Sequence, residues 1–163
     1  MKLALFLPLV FFGLSCTQNE ERSSRLSATK KSAPVESGQA ELQTWLDRNI
    51  ASIVETYKHL HQNPELSLQE KKTSARLAKD LRDMGYQVSE KIGGYGVVGL
   101  LENGKGPILM LRADMDALPI EENTPLTYAS KQRTTDRRGR EVSLMHACGH
   151  DIHMANMIGV AGF

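Results

Sequence analysis

The sequence predicts an α/β fold, and three observations carry that reading. Apolar residues recur at helical spacing through residues 42–84, and the pattern shortens to strand-like apolar runs from Tyr86 onward. Two carboxylates then follow the last of those runs, where functional groups gather in open α/β sheets. The chain has 163 residues, with 20 Lys and Arg against 19 Asp and Glu, a balance that gives no broad basic field. With aromatic residues at 6% as well, nucleic acid is excluded as a main partner. No apolar run reaches the roughly 18 residues of an ordinary membrane-spanning helix, and two cysteines cannot build a disulfide scaffold.

The amino-terminal segment differs in kind from the rest. Lys2 precedes a run of apolar and small residues over 3–14, and a sharply polar stretch starts at Thr17. This pattern suits a signal peptide, assigned to residues 1–15. Cys16 directly follows that run and resembles the lipidated cysteine of bacterial lipoproteins, although Gly13 stands where that pattern prefers Leu. The alternative is ordinary secretory cleavage with Cys16 incidental. Residues 16–38 contain five serines and no apolar periodicity, which reads as a flexible tether from a membrane surface. The expected location is outside the inner membrane, periplasmic and held by the lipid anchor.

The globular part is assigned to residues 39–163. Leu42, Trp45, Leu46, Ile50, Ile53, Val54, Tyr57 and Leu60 fall on one helical face, and Pro64 ends that helix by disfavouring helical geometry at Asn63. Ser67 and Glu70 have capping-box spacing for a second helix, with Ala75, Leu77, Ala78, Leu81 and Met84 as its buried stripe and Gly85 as its stop. Residues 86–88 read as a short strand. Residues 97–101 and 108–111 read as apolar strands joined by a hairpin turn at 102–106.

The second apolar strand runs into Arg112-Ala113-Asp114-Met115-Asp116, where alternation puts both aspartates on one side. They could bind a cation or orient a histidine; alternatively they cap a loop or pair with Arg112. The densest chemistry is His146 to His153, where three histidines, Cys148 and Asp151 lie within eight residues. An extended backbone across Gly149 would aim the Cys148 thiol and the His150 imidazole the same way, and both are ligands for zinc, manganese, nickel or cobalt. Asp151 opens the helix that follows. A cysteine peptidase and a closed four-ligand zinc site fit less well, since the local signatures of the first and the ligands of the second are missing. An open, catalytic metal site fits best.

These motifs, together with His61-Gln62-Asn63-Pro64-Glu65-Leu66-Ser67, Leu111 to Glu122 and Met145 to Asp151, resemble the amidohydrolase branch of the aminoacylase/carboxypeptidase dinuclear metallopeptidase family. That branch includes hippurate hydrolases, N-acyl-amino-acid amidohydrolases and auxin-conjugate hydrolases. The resemblance implies hydrolysis of the amide bond of small N-acyl amino acids by a metal-activated water, with two divalent ions (manganese, zinc, nickel or cobalt). Carried over, it implies Cys148 and His150 as metal ligands and Asp116 as the aspartate that supports the metal cluster from behind. It leaves ligation by Asp114 open, because peptidase relatives have a histidine there. It places the general-base glutamate and further ligands beyond the Cys-Gly-His motif, so Glu121-Glu122 is not that base by position. The expectation is therefore the amino-terminal part of a zinc-peptidase-like catalytic domain, truncated before the lid and dimerisation domain. Such a piece would be inactive alone, and the full-length protein is expected to be a homodimer. The competing expectation is a non-catalytic surface lipoprotein or binding module that keeps a partial metal site. Residues 127–144 read as an extra polar hairpin.

Overall fold

A computed structural model describes residues 33–163 of the chain, so the signal-peptide assignment and the expected lipidation site Cys16 lie outside the described residues. Helix α1 spans Ala33–Gln62 and so begins within the stretch read as tether. It stops where expected: Asn63 N–H donates to the Leu60 carbonyl at 3.1 Å, and its side-chain amide donates to the His59 carbonyl at 2.8 Å. These bonds satisfy carbonyls that Pro64 prevents a further helical turn from reaching. The apolar stripe is unevenly used. Leu60 is buried, Ile53 lies against Gly159, and Trp45 meets Phe163 edge to face at 5.8 Å, whereas Leu42, Ile50 and Val54 stay exposed.

Helix α2 covers Lys71–Asp83. Its amino-terminal N–H groups are not met by the expected capping box. Instead the Glu65 carboxylate reaches across the intervening turn and accepts from Lys72 N–H at 2.9 Å and Thr73 N–H at 2.8 Å. A carboxylate suits this end of the helix dipole, which is why Glu65 can replace a Ser67 cap. Leu77 and Ala78 are buried with Thr73 and Ser74, but Ala75 is exposed and Met84 is 38% exposed. The buried face is thus rotated toward the hydroxyl residues. Gly85 ends the helix with φ 89°, a left-handed conformation that a side chain disfavours.

Strands β1 (Gln87–Ile92) and β2 (Gly96–Leu100) form an antiparallel hairpin with Gln87 opposite Leu100 and Ser89 opposite Val98. Here the sequence expectation is corrected. Residues 97–101 do not pair with 108–111, and 108–111 are not a strand. Ile108, Leu109 and Met110 are more than 80% exposed. An apolar run becomes a strand only when a neighbour takes up its N–H and C=O groups, and among the described residues none lies beside it.

The polar hairpin does form, as β3 (Arg133–Thr135) and β4 (Glu141–Ser143). Its turn is organised by Asp136, whose carboxylate accepts from Arg138 N–H at 2.8 Å, from Arg140 N–H at 2.9 Å and from the Arg140 guanidinium. Helix α3 (His150–Gly162) follows Gly149, whose φ is 77°.

Leu60 of α1, Leu77 of α2, and Met154 and Ile158 of α3 form the apolar core, with Leu81, Ala113 and Met115 against it. Two isolated bridges set the site beside this core. Leu66 pairs with Ala117 in parallel, and Leu118 pairs with Met145 antiparallel through bonds of 3.0 and 3.1 Å. The aspartate loop is thereby sewn to the segment that carries Cys148 and His150.

Candidate metal centre

Asp116 and His150 come together, although 34 residues separate them. The His150 Nδ1 lies 2.8 Å from the Asp116 backbone carbonyl and 3.1 Å from its carboxylate Oδ1. Both neighbours are acceptors, so Nδ1 carries the proton and donates, and Nε2 keeps its lone pair. Asp114 does not join them; its carboxylate pairs with Arg112 on the exposed side of the loop. Cys148 is a free, exposed thiol. The backbone between Cys148 and His150 is not extended as the sequence suggested, because Gly149 is left-handed and His150 already belongs to α3. Among the described residues, no three His, Cys, Asp or Glu side chains converge closely enough to hold a metal ion by themselves.

A second cluster is one the sequence did not announce. His61, at the end of α1, lies between two carboxylates: Nδ1 is 2.6 Å from Asp151 Oδ2 and Nε2 is 3.0 Å from Glu122 Oε1. All three side chains are at least nine-tenths buried. Glu122 also accepts from the Thr124 hydroxyl and from Ser130 N–H, the latter at 2.6 Å, and Asp151 Oδ1 accepts from Ile152 N–H at 2.9 Å. The rings of Tyr57 and Tyr128 close over His61 with centroids 5.6 and 5.5 Å away. The only sequence signals for this cluster were the His-Gln-Asn-Pro-Glu motif and the Glu-Glu pair. Neither says that residues 61, 122 and 151 meet.

The electrostatics follow from this packing. Burial alone would lower the His61 pKa, but hydrogen bonds to Asp151 and Glu122 outweigh it and hold the imidazole above its ordinary value. Burial would raise Glu122, yet Thr124, His61 and the Ser130 amide hold it below the usual carboxylate range. Burial, with the Tyr128 hydroxyl, pushes the Tyr57 phenol up to about 12. His146 is different. It is buried, neither ring nitrogen has a hydrogen-bond partner, and burial drives its pKa down, so it is neutral.

The donor set at the motif fits a divalent transition metal. Cys148 offers a sulfur open to solvent, and His150 offers an imidazole whose Nδ1–H is fixed by a carbonyl and a carboxylate, an arrangement that orients the ring.

Comparison with known proteins places the same segment among hydrolases. Residues 110–162 match the model of peptidase family M20/M25/M40, a class of hydrolases. Over these residues the chain carries a segment of this family, and it is similar to hydrolases of that kind. It is 45% identical over 105 residues to the N-acetyl-L-cysteine deacetylase of Bacillus subtilis, covering 64% of this chain and 23% of that protein. It is 43% identical over 105 residues to the hippurate hydrolase of Campylobacter jejuni, covering 64% of this chain and 25% of that protein. The crystal structure of the Bacillus subtilis YXEP protein, described as a dinuclear metal binding peptidase from the M20 family, matches with a TM-score of 0.59 and 34% identity over 74% of this chain and 30% of that chain. The chain spans about a quarter to a third of the length of these relatives.

A pH dependence follows from the buried cluster. His61 has a raised pKa, so its stabilisation is complete below the unfolded value of about 6.5 and is lost as pH rises through the folded value. Glu122 has a lowered pKa, so its stabilisation is present above the unfolded value and is lost as pH falls through the folded one. Urea unfolding midpoints should therefore decline on the alkaline side of neutrality. His61→Gln should flatten that limb and cost about 3–5 kcal/mol near pH 6 by leaving two buried carboxylates without a cation. An unchanged alkaline limb in the variant contradicts the assignment.

Proposed function

We propose that the full-length protein hydrolyses the amide bond of small N-acyl amino acids, hippurate-like compounds among them. The observation that carries the reading is the Cys148-Gly149-His150 turn with His150 Nδ1 tied to Asp116. Cys148 and His150 are the chain's metal donors in this reading, and Asp116 is the group that orients His150. Two divalent ions, when bound, supply Lewis-acid polarisation of the amide carbonyl and acidify water.

The chain's own residues set limits on the remaining roles. Glu122 is not the general base: both of its oxygens are committed to His61, Thr124 and Ser130 in a buried pocket. Asp151 is likewise committed to His61 and to its own helix. The described residues therefore offer two donors and one orienting aspartate to the proposed centre. The identities to a deacetylase and a hippurate hydrolase support an acylated amino acid as substrate.

Benzoylglycine supplied to the full-length product with added manganese should be cleaved to benzoate and glycine. Cys148→Ala and His150→Ala should each lower kcat/KM by at least ~100-fold, since loss of an orienting partner alone reaches that size. No turnover across a panel of N-acyl amino acids, or undiminished turnover in Cys148→Ala, contradicts the proposal.

We further propose that the protein is exported and anchored through a lipid on Cys16, placing the catalytic domain in the periplasm. The apolar run before Cys16 and the polar stretch after it support this. Incorporation of labelled fatty acid into the protein should vanish in Cys16→Ser; retained label overturns the anchor.

A further inference from the structure

The buried His61 cluster and the candidate metal centre meet through one peptide bond, since Asp151 directly follows His150. The two Asp151 oxygens have separate partners. Oδ1 accepts from Ile152 N–H in the first turn of α3, and Oδ2 meets His61 Nδ1. The start of α3 is thereby held against the end of α1. On its other side His61 is fixed by Glu122, itself held by Thr124 and Ser130, so rotation of the imidazole would break its bonds to two separate segments, the Glu122 loop and the start of α3. The turn that presents Cys148 is tied on its amino-terminal side by the backbone bridge of Met145 to Leu118. Cys148 itself is exposed, Gly149 is left-handed, and among the described residues the turn's side-chain ties to other segments are those of His150 with Asp116 and of Asp151 with His61.

We infer that His61 is a positioning residue for the metal donors: acting through Asp151, it fixes the first turn of α3 so that Cys148 and His150 are presented in one geometry. The inference rests on the metal-centre reading above. His61 touches neither donor, and its effect is to reduce the reorganisation required when a metal is bound. Glu122 contributes by fixing the second ring nitrogen of His61.

Cobalt(II) is a suitable probe, because thiolate and imidazole donors give it an absorption spectrum that reports their geometry. Titrated into the full-length protein, it should bind about 10–100-fold more weakly to His61→Gln and to Glu122→Gln than to the unsubstituted protein, with an altered spectrum and unchanged far-ultraviolet dichroism. His59→Gln, an exposed position on the same helix, should bind like the unsubstituted protein. Equal affinity and spectrum in both cluster variants overturn the positioning role and leave the metal-centre reading intact. No cobalt binding by the unsubstituted protein overturns both. Should the variants fail to fold, zinc added to unsubstituted protein labelled with 15N-histidine should shift the ring resonances of His61 as well as His150. A His61 signal unmoved while His150 shifts overturns the inference.

Discussion

A histidine held between two buried carboxylates is the constraint on which the arrangement around the Cys-Gly-His turn depends. Glu122 and Asp151 are both almost fully removed from water. Two such groups would repel each other and lose their hydration at a cost of several kcal/mol, unless a cation with two donors stood between them. His61 meets that requirement because each ring nitrogen faces one carboxylate. The polar cluster and the apolar core also share their elements. Leu60 precedes His61, and Met154 lies one helical turn after Asp151, so the contact that buries Leu60 against Met154 also brings the charges together. Polar and apolar layers specify the same approach of α1 to α3.

The three histidines near the site show how environment divides one residue type into separate roles. His61 has both nitrogens engaged, which favours its charged form. His150 has only Nδ1 engaged among the described residues, by the carbonyl and carboxylate of Asp116, and its Nε2 makes no hydrogen bond there. His146 has neither nitrogen engaged and is kept neutral by burial. The backbone bridge between Leu118 and Met145 makes the second case possible, since it brings the Asp116 loop within hydrogen-bond reach of α3. The site is thus assembled from backbone registers as much as from side chains.

Some of this was legible in the sequence. Helical spacing placed α1 and α2, Pro64 and Gly85 marked their ends, and the polar composition of residues 127–144 marked the hairpin. These are local signals, and local geometry answers to them. What stayed hidden depended on contacts between distant residues. The stretch 108–111 has a strand's composition but lacks a neighbour among the described residues, and strand formation requires one. Ser67 and Glu70 have capping spacing, yet Glu65 reached the α2 amino terminus with a charged acceptor. Cys148, His150 and Asp116 were conspicuous as residue types, while His61, Glu122 and Asp151 were not recognisable as a unit. Separations of 61 and 90 residues carry no periodicity from which to read a contact.

The central proposal is that His150 and Cys148 bind a metal together, His150 through Nε2 because Asp116 occupies Nδ1. Anomalous diffraction from crystals of the full-length protein grown with manganese or zinc tests it most directly. The account predicts a peak within about 2.0–2.3 Å of His150 Nε2 and in bonding contact with Cys148 Sγ. A metal bound through Nδ1 of His150, or a peak that touches neither Cys148 nor His150, would contradict it.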